Sequence, residues 1–399
     1  MQNFDYSTPT RLIFGKGVVA EKLASVMSQF GNNVLVTYGG GSIKRNGLYD
    51  EVKSILRDKQ LFELAAIQPN PKFNPSVLEG ARLCREHKID VILSVGGGSV
   101  LDCTKAIAGV AGTLEGNPYD HVEEAWDIVT GKRPTTAAVP IVDIITMAAT
   151  GSEYDSGGVI SRTETNDKLA YFSPLVFPVA SFIDPVYTFS VPVKHTLAGV
   201  ADCINHIMEQ YFCGDHIDMN DAFMTGAVRS LMKNAKVVLQ NPQDYEARAE
   251  IFYACTLGCN GIYSLGNSPS GWPMHGMEHA LSAYYDITHG EGLAIITPRW
   301  MQYILNYSTG KLHRQVEERI TSFGRQVFGV EGCEATIRAI YDFYREVGVP
   351  MTLPEVGIDA SRLTEIAHHI AVNEGLEHAW APLLENDILE ILKGCLTEM

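Results

Sequence analysis

The chain of 399 residues is 46% apolar and 20% charged, which is ordinary for a soluble globular protein. Its formal net charge of −16 at pH 7, without a long cluster of lysine and arginine, excludes nucleic acid as an expected partner, because phosphate-backbone binding needs a concentrated basic surface. No window approaches the roughly eighteen uncharged apolar residues of a membrane span, and the first residues lack the pattern of a signal peptide. We therefore expect a cytoplasmic protein without a membrane partner.

The length predicts two domains, because a single hydrophobic core rarely serves so long a chain. The first half alternates short β-rich runs with amphipathic segments, which is typical of a parallel sheet connected by crossover helices. The predicted strands cover residues 11–14, 33–37, 62–67, 89–95, 136–142, 158–161 and 179–183. Asn74 as N-cap and Pro75 at the first helical position predict a helix that runs to about His87.

After the turn-forming Asp184, Pro185 and Pro192, the apolar residues recur at i, i+3 and i+4 and predict one helix after another. The predicted helices include residues 195–212, 222–239 and 245–263. The fold class that follows is an N-terminal α/β domain with a Rossmann-like parallel sheet at 1–187, followed by an all-helical domain at 188–399.

A glycine-rich turn follows the predicted strand at 89–95. Gly96, Gly97, Gly98 and Ser99 lead directly into a predicted helix whose first turns contain Asp102. Such a turn presents unhindered backbone N–H groups and the positive end of a helix to a phosphate. A tight turn without a ligand uses the same residues, and the more specific G-x-G-x-x-G pattern is absent. The turn is nevertheless our candidate phosphate site in a dinucleotide-binding domain.

A second glycine-rich turn, Gly39, Gly40, Gly41 and Ser42, follows the predicted strand at 33–37. Dinucleotide-binding folds commonly place a carboxylate here, where it binds the ribose hydroxyls. This chain has no acid in the region and offers Tyr38, Lys44 and Arg45 instead. Hydroxyl and cationic groups suit a 2′-phosphate, so we predict NADP(H) in preference to NAD(H).

Two groups of metal-ligating residue types occur in the helical half. Asp202 and His206 are four residues apart, as are His275 and His279, and His289 follows shortly after. An i, i+4 pair on a helix directs both side chains to one side, as a shared metal ion requires, although such pairs also merely pack or hydrogen-bond. One carboxylate with several imidazoles suits Fe²⁺ or Zn²⁺ better than Ca²⁺ or Mg²⁺. Helix spacing alone selects His275 and His279 as co-ligands.

At this point the sequence resembles the iron-containing (group III) alcohol dehydrogenases, in particular their NADP-dependent butanol dehydrogenase and aldehyde reductase branch. The resemblance extends over essentially the whole chain. It is carried by the segments TPTRLIFGKG, YGGGSIKRNG, SVGGGSVLDCTK, ATGSE, GVADCINHIMEQY and HGMEHALSAYYDITHGEGLAIITP. The last segment, with thirteen residues between its first and last histidines, is the most specific.

The resemblance implies a metal site that differs from the one helix spacing selects. The implied ligands are Asp202, His206, His275 and His289. His279 matches a histidine that lines the catalytic cleft of the family without binding the metal, and it is therefore our candidate for relaying a proton. We follow the resemblance, because a loop histidine can close a site that two helices only begin.

The resemblance also implies cofactor contacts from neighbouring strands. These come from Thr146, from the turn Gly151-Ser152 and from Lys168, which we expect to contact ribose or phosphate groups. The alternative for Lys168 is a solvated charge on a strand. Many NAD-dependent members carry an aspartate at the position of residues 38–42, where this chain has none, and the difference supports the NADP(H) branch.

The architecture implied by the resemblance is that of dehydroquinate synthase-like proteins, with the active site in the cleft between the domains, and the family favours a homodimer. The implied reaction is the reversible reduction of a short- to medium-chain aldehyde to a primary alcohol. An NAD-linked polyol or propanediol dehydrogenase is an alternative. A lyase of the dehydroquinate synthase type is another, although no lysine- and arginine-rich pocket accompanies the late histidines. A non-enzymatic nucleotide sensor has no need of the acid-plus-histidine set.

Overall fold

A computed structural model of the chain describes residues 1–268 and 271–399. The chain divides into two compact units. One is Ser7–Pro192, and the other is Val193–Met399 together with Met1–Tyr6. This division differs from the predicted bounds, 1–187 and 188–399, by the segment 188–192 and by the N-terminal residues.

The unit Ser7–Pro192 is built on a parallel sheet. Its strands in chain order are β1 (Arg11–Phe14), β2 (Asn33–Tyr38), β3 (Gln60–Leu64), β4 (Val91–Gly96), β5 (Ile141–Ile145) and β8 (Ala180–Ile183), and a separate antiparallel hairpin is formed by β6 (Gly157–Arg162) and β7 (Asp167–Phe172). The spatial order of the sheet is β1-β8-β5-β4-β2-β3, and all five pairings are parallel.

Helices connect the strands of this unit. They are α1 (Val18–Met27), α2 (Ser42–Arg45), α3 (Leu48–Ile55), α4 (Leu78–Glu86), α5 (Gly98–Thr113) and α6 (Val122–Val129). The central strands β4 and β5 are buried along their whole length, because crossover helices cover a parallel sheet on both faces. The predicted α/β class with a parallel sheet is confirmed.

Three predicted elements of this unit are displaced. The strand predicted at 136–142 begins only at Ile141, and residues 136–140 precede it without regular secondary structure. The strand predicted at 62–67 is shifted to Gln60–Leu64. Regular α-helix begins at Leu78 instead of at Pro75, because the segment Phe73–Val77 forms a separate, wider helical turn that is interrupted by the extended backbone of Asn74.

The other unit is helical throughout its named elements. These are α7 (Val193–Phe212), α8 (Asp218–Gln240), α9 (Tyr245–Gly258), α10 (Pro273–Tyr285), α11 (His289–Tyr307), α12 (Gly310–Val327), α13 (Cys333–Glu346), α14 (Leu363–Asn373) and α15 (Glu385–Gly394), with short 3-10 turns between some of them. The predicted all-helical domain is confirmed. Among the described residues, no helix is both long and apolar enough to cross a bilayer.

The third predicted helix of this unit ends earlier than expected. It was predicted to reach Tyr263, but α9 ends at Gly258. A Cβ on Gly258 would lie 2.8 Å from the Cys203 sulfur, so α9 approaches α7 closely at this glycine.

Candidate functional site

The helix α7 supplies a buried carboxylate and a buried imidazole to one site. Asp202 and His206 lie one turn apart on this helix, and both side chains are buried. The His206 Nε2 atom lies 3.4 Å from the Asp202 Oδ1 atom. The i, i+4 spacing read from the sequence therefore brings the two side chains together on one face.

Two further imidazoles reach the same carboxylate oxygen from other helices. The Nε2 atom of His275, on α10, lies 3.8 Å from Asp202 Oδ1. The Nε2 atom of His289, the first residue of α11, lies 3.6 Å from it. This approach requires a glycine at position 290, because a Cβ there would collide with the carbonyl oxygen of Ala198 on α7.

The donor atoms at this site fit a metal ion. One ligand atom each from Asp202, His275 and His289 lie within 4.8 Å of one another. Asp202 Oδ1 and His275 Nε2 are buried and have no hydrogen-bond partner among the described residues. Burying polar atoms unsatisfied is costly unless something else binds them. One carboxylate and three imidazole nitrogens form a ligand set that suits Fe²⁺ or Zn²⁺.

The charges within this cluster shift its titration strongly. Burial raises the pKa of Asp202, but the imidazoles, with His206 the largest contributor, outweigh burial and hold that pKa below its ordinary value. Burial lowers the pKa of His206 to about 3. Burial also lowers the pKa of His275, but the carboxylates of Glu209 and Asp202 outweigh burial and raise that pKa to about 9. Without a metal, the carboxylate is thus ionised and His206 is neutral.

Two buried glutamates outside the predicted ligand set contact this cluster. Glu209 Oε2 hydrogen-bonds to Nδ1 of His275, and Glu278 Oε2 hydrogen-bonds to Nδ1 of His289. A signal for both is present in the sequence, because each glutamate is the third residue after a predicted ligand, in HIME (206–209) and HGME (275–278). The spacing places acid and histidine on one helix face.

His279 lies beside the cluster without joining the donor atoms around Asp202. Its ring centroid is 6.1 Å from that of His275 and 5.6 Å from that of His289, and its side chain is partly exposed. A second possible set of ligand atoms comprises Glu278, His279 and His289. The structure therefore brings His206, His275 and His289 close to Asp202 Oδ1, and His279 occupies a neighbouring position.

The glycine-rich turns of the α/β unit lie together at one edge of the sheet. Tyr38 pairs with Val95 and Gly96 pairs with Ile145, so the chain leaves β2, β4 and β5 at the same edge. The turn Gly39–Ser42, the turn Gly96–Ser99 and Thr146 follow these strands directly. Gly97 precedes α5 as a cap without a side chain, and the carboxyl edge of a parallel sheet is where nucleotides bind in doubly wound folds.

The side chains of Asp102 and Ser152 are bonded to each other. The Ser152 hydroxyl donates to Asp102 Oδ1 at 2.7 Å, and the backbone N–H of Val159 donates to Asp102 Oδ2 at 2.9 Å. Burial raises the pKa of Asp102 to about 6. These bonds hold the turn after Gly151 and the strand β6 against α5.

Lys168 lies on β7, opposite Ser161 of β6. Its side chain is buried, with 5% exposure, so the alternative of a solvated strand charge is wrong. The strand β7 itself was absent from the sequence prediction.

Known proteins resemble both units. Residues 9–185 match the family model described as iron-containing alcohol dehydrogenase, and residues 196–396 match the model of the C-terminal part of the Fe-containing alcohol dehydrogenase family. The chain belongs to the iron-containing alcohol dehydrogenase family. This membership makes the chain an oxidoreductase of the alcohol dehydrogenase type, which interconverts alcohols and aldehydes, and it supports a divalent metal and a nicotinamide cofactor.

Individual relatives of this dehydrogenase match along nearly the whole chain. NADH-dependent butanol dehydrogenase A of Clostridium acetobutylicum is 41% identical, with 98% of this chain and 99% of the relative covered. The NADPH-dependent aldehyde reductase YqhD of Escherichia coli is 34% identical over 97% of this chain and 96% of its own. The crystal structure of an NADH-dependent butanol dehydrogenase A from Thermotoga maritima superposes with a TM-score of 0.91 at 33% identity, covering 100% of this chain and 99% of that one. Family membership favours the dehydrogenase over the lyase and the nucleotide sensor.

Proposed function

We propose that this dehydrogenase reversibly reduces short- to medium-chain aldehydes to primary alcohols with NADP(H), using one divalent metal, Fe²⁺ or Zn²⁺. The observation that carries the proposal is the convergence of three imidazole Nε2 atoms, 3.4 to 3.8 Å away, on the buried Asp202 Oδ1. The cytoplasmic location and the homodimer stay predictions of the sequence.

The proposed ligands are Asp202, His206, His275 and His289. When bound, a metal of this kind supplies Lewis-acid polarisation of the aldehyde oxygen. His279 is proposed to deliver the proton that the alkoxide oxygen needs after hydride transfer. Its partly exposed ring lies one helical turn beyond His275, which suits a group that must exchange its proton with water or cofactor hydroxyls.

The preference for NADP(H) is supported by the segment that follows β2. Ser42, Lys44 and Arg45 are exposed on or beside the short helix α2, and residues 38–46 contain no carboxylate. The Lys44 ammonium lies 4.9 Å from the Tyr38 ring centroid and 4.6 Å from the Tyr49 ring centroid, so it has a defined position at the end of β2. A hydroxyl and two cations suit a 2′-phosphate.

An NAD(H)-linked enzyme is the second candidate, and one carboxylate favours it. Glu63 on β3 accepts hydrogen bonds of 2.6 Å from the hydroxyls of both Tyr38 and Tyr49. It therefore places an acid beside β2, where a ribose 2′-hydroxyl would be recognised. Two relatives are named NADH-dependent butanol dehydrogenases. One is the Clostridium acetobutylicum protein, which is 41% identical, and the other is the Thermotoga maritima protein of solved structure, which is 33% identical.

A spectrophotometric assay with butanal tests the proposal. It follows the oxidation of the hydride donor at about 340 nm, first with NADPH and then with NADH. We expect a higher kcat/KM and a lower Kd with NADPH. Lys44→Ala and Arg45→Ala should each raise the Kd for NADPH by about tenfold or more, since hydrogen bonds to charged groups contribute about 1.5–3 kcal/mol, and should leave NADH unchanged.

Lys53→Ala is the matched control, because Lys53 also lies near the Tyr49 ring, at 5.2 Å, but comes from α3. Tighter binding of NADH than of NADPH by the unmodified protein would refute the NADP(H) preference. Elemental analysis of anaerobically purified protein identifies the metal.

A further inference from the structure

We propose that Glu209 and Glu278 are positioning residues that hold the Nε2 atoms of His275 and His289 toward the metal. The inference rests on the metal site proposed above, and it adds two residues that lie outside the proposed ligand set. Both side chains are almost completely buried, with exposures of 1% for Glu209 and 0% for Glu278.

Glu209 binds both the backbone and the side chain at the start of α10. Its Oε1 accepts the backbone N–H of Met274 at 2.6 Å and of His275 at 3.2 Å. Its Oε2 bonds to Nδ1 of His275. The residue at the N-cap of α10, Trp272, makes no side-chain cap bond. Glu209 from α7 therefore takes the place of a cap for α10 and orients the first imidazole of that helix.

Glu278 has the corresponding position for His289. Its Oε2 bonds to Nδ1 of His289, and its Oε1 accepts the hydroxyl of Ser282. Its side chain passes over Gly292 of α11, where a Cβ would lie 2.8 Å from Cγ and 3.0 Å from Oε1 of Glu278. A glycine at 292 thus leaves room for the carboxylate that orients His289.

The two contacts decide which ring nitrogen faces the metal. A neutral imidazole has one N–H, and a carboxylate at Nδ1 retains the hydrogen there and leaves the Nε2 lone pair for the metal. His206 differs, because its Nδ1 is buried without a hydrogen-bond partner among the described residues. Each glutamate follows a ligand on its own helix but orients the ligand of the next helix, so the contacts link α7 to α10 and α10 to α11.

Metal affinity, measured without any turnover, tests the inference. Glu209→Gln and Glu278→Gln would be titrated with Zn²⁺ and Co²⁺ against a competing chelator, and the visible absorption of bound Co²⁺ would report the ligand geometry. A glutamine amide can donate to Nδ1 and so place the hydrogen on Nε2. We expect each variant to bind both metals about 10–100-fold more weakly than the unmodified protein, with an altered Co²⁺ spectrum.

Glu291→Gln is the matched control for charge. Glu291 is also a buried acid, on α11, but it pairs with the Lys194 ammonium at 3.0 Å. The variant removes the same charge from the same unit and should keep both the affinity and the Co²⁺ spectrum.

Gly292→Ala tests the positioning role of Glu278 by changing the residue against which its side chain packs. It should weaken metal binding by displacing Glu278, and this part of its effect should be lost in a Glu278→Ala background, where only the approach of the new Cβ to Ile287 Cδ1, at 3.0 Å, remains. Additive effects of the two substitutions would place the effect of Gly292 elsewhere and count against the positioning role.

Unchanged metal affinity in both glutamine variants would overturn the inference. If Glu209→Gln fails to fold because α10 loses its cap, Glu278→Gln decides, with circular dichroism of the metal-free protein as the check on folding. A protein that binds metal with this dependence but does not turn over butanal would overturn the proposed function and leave the positioning roles intact.

Discussion

Asp202 is the residue on which the candidate metal centre converges, because the Nε2 atoms of three histidines from three helices surround its Oδ1. A buried ionised carboxylate is unfavourable unless a cation lies beside it. The imidazoles hold the pKa of Asp202 low after burial has raised it, so the acid is ionised at neutral pH. A divalent cation can bind the carboxylate oxygen and the ring nitrogens at the same time.

The roles of His275 and His279 can be separated by substitution. His275→Ala removes a proposed ligand and should lose both bound metal and turnover. His279→Ala removes a neighbouring imidazole and should keep the metal while turnover falls by about 10²–10⁴-fold, the usual contribution of a positioned acid or base. Metal content by elemental analysis and steady-state rates with butanal measure the two effects. A metal-free His279→Ala protein would show that the ligand assignment is wrong.

A buried acid of the sheet gives stability a defined pH dependence. Asp143 on β5 is 1% exposed, and its Oδ2 has no hydrogen-bond partner among the described residues. Burial raises its pKa well above the ordinary value, although Ser181 partly opposes this. Between about pH 4 and the raised pKa, the unfolded chain ionises while the folded chain does not, so stability falls by up to about 1.4 kcal/mol per pH unit.

Asp143→Asn should remove this contribution. The melting temperature of the variant relative to the unmodified protein is expected to improve as the pH rises above about 4 and to level off once the pH passes the raised pKa of Asp143. The difference between the two proteins is the measurement, since it cancels the other titrating groups. A difference that does not change with pH would mean that Asp143 ionises equally in the folded and unfolded chains.

At the scale of elements, the hydrophobic pattern predicted the positions of those strands and helices that are stabilised by burial of apolar side chains. The buried strands β2 and β4 and the helices α7 and α8 lie close to where the sequence predicts them. The strand β7 pairs with β6 in a two-stranded hairpin outside the main sheet. Its mixed sequence, DKLAYF, lacks the continuous apolar run of a buried strand, so the sequence pattern gives little signal for it. The segment 136–140 is largely apolar but lies outside the ladder. Periodicity alone cannot distinguish such a segment from a strand.

The candidate site was predictable in part for the same reason. Spacing on one helix identified Asp202 with His206, but the partners of His275 depend on how α7, α10 and α11 pack. Spacing alone paired His275 with His279, whereas packing brings His289 to Asp202 instead. The contacts of Glu209 and Glu278 could not be predicted from spacing, because each glutamate contacts a histidine of a different helix. Such crossed contacts have no fixed separation in sequence.

The turn between β4 and α5 offers a test at the same scale. A Cβ on Gly98 would lie 2.5 Å from Oγ1 and 2.7 Å from Cγ2 of Thr150, whereas a Cβ on Gly97 would lie 3.4 Å from Met147 Cβ. Gly98→Ala should therefore lower the melting temperature of the cofactor-free protein, and Gly97→Ala should affect it much less.

Both alanine variants should bind NADPH more weakly, because the phosphates are proposed to approach this turn directly. Cofactor titration by fluorescence and thermal unfolding measure the two effects. Unchanged NADPH affinity in Gly97→Ala would exclude a close approach of the cofactor to the backbone there.

At the scale of the whole molecule, the two kinds of candidate site belong to different compact units. All four proposed ligands and both positioning glutamates lie in Val193–Met399, and the glycine-rich turns lie in Ser7–Pro192. A ligand stabilises the folded structure that contains its binding groups by mass action. Metal and cofactor should therefore protect different parts of the chain.

Hydrogen exchange followed by mass spectrometry can measure this separation. At free Zn²⁺ about 100-fold above its Kd, stabilisation is about 2.7 kcal/mol, which slows exchange about 100-fold where amides open only with the metal-binding helices. We expect this protection in α7, α10 and α11, because these helices carry the ligands, and little change in β2 and β4. His275→Ala at the same Zn²⁺ concentration is the control and should show none. Equal protection of the sheet strands would contradict the assignment of the metal to the helical unit alone. A bound metal slows exchange only at amides whose opening disrupts the metal site.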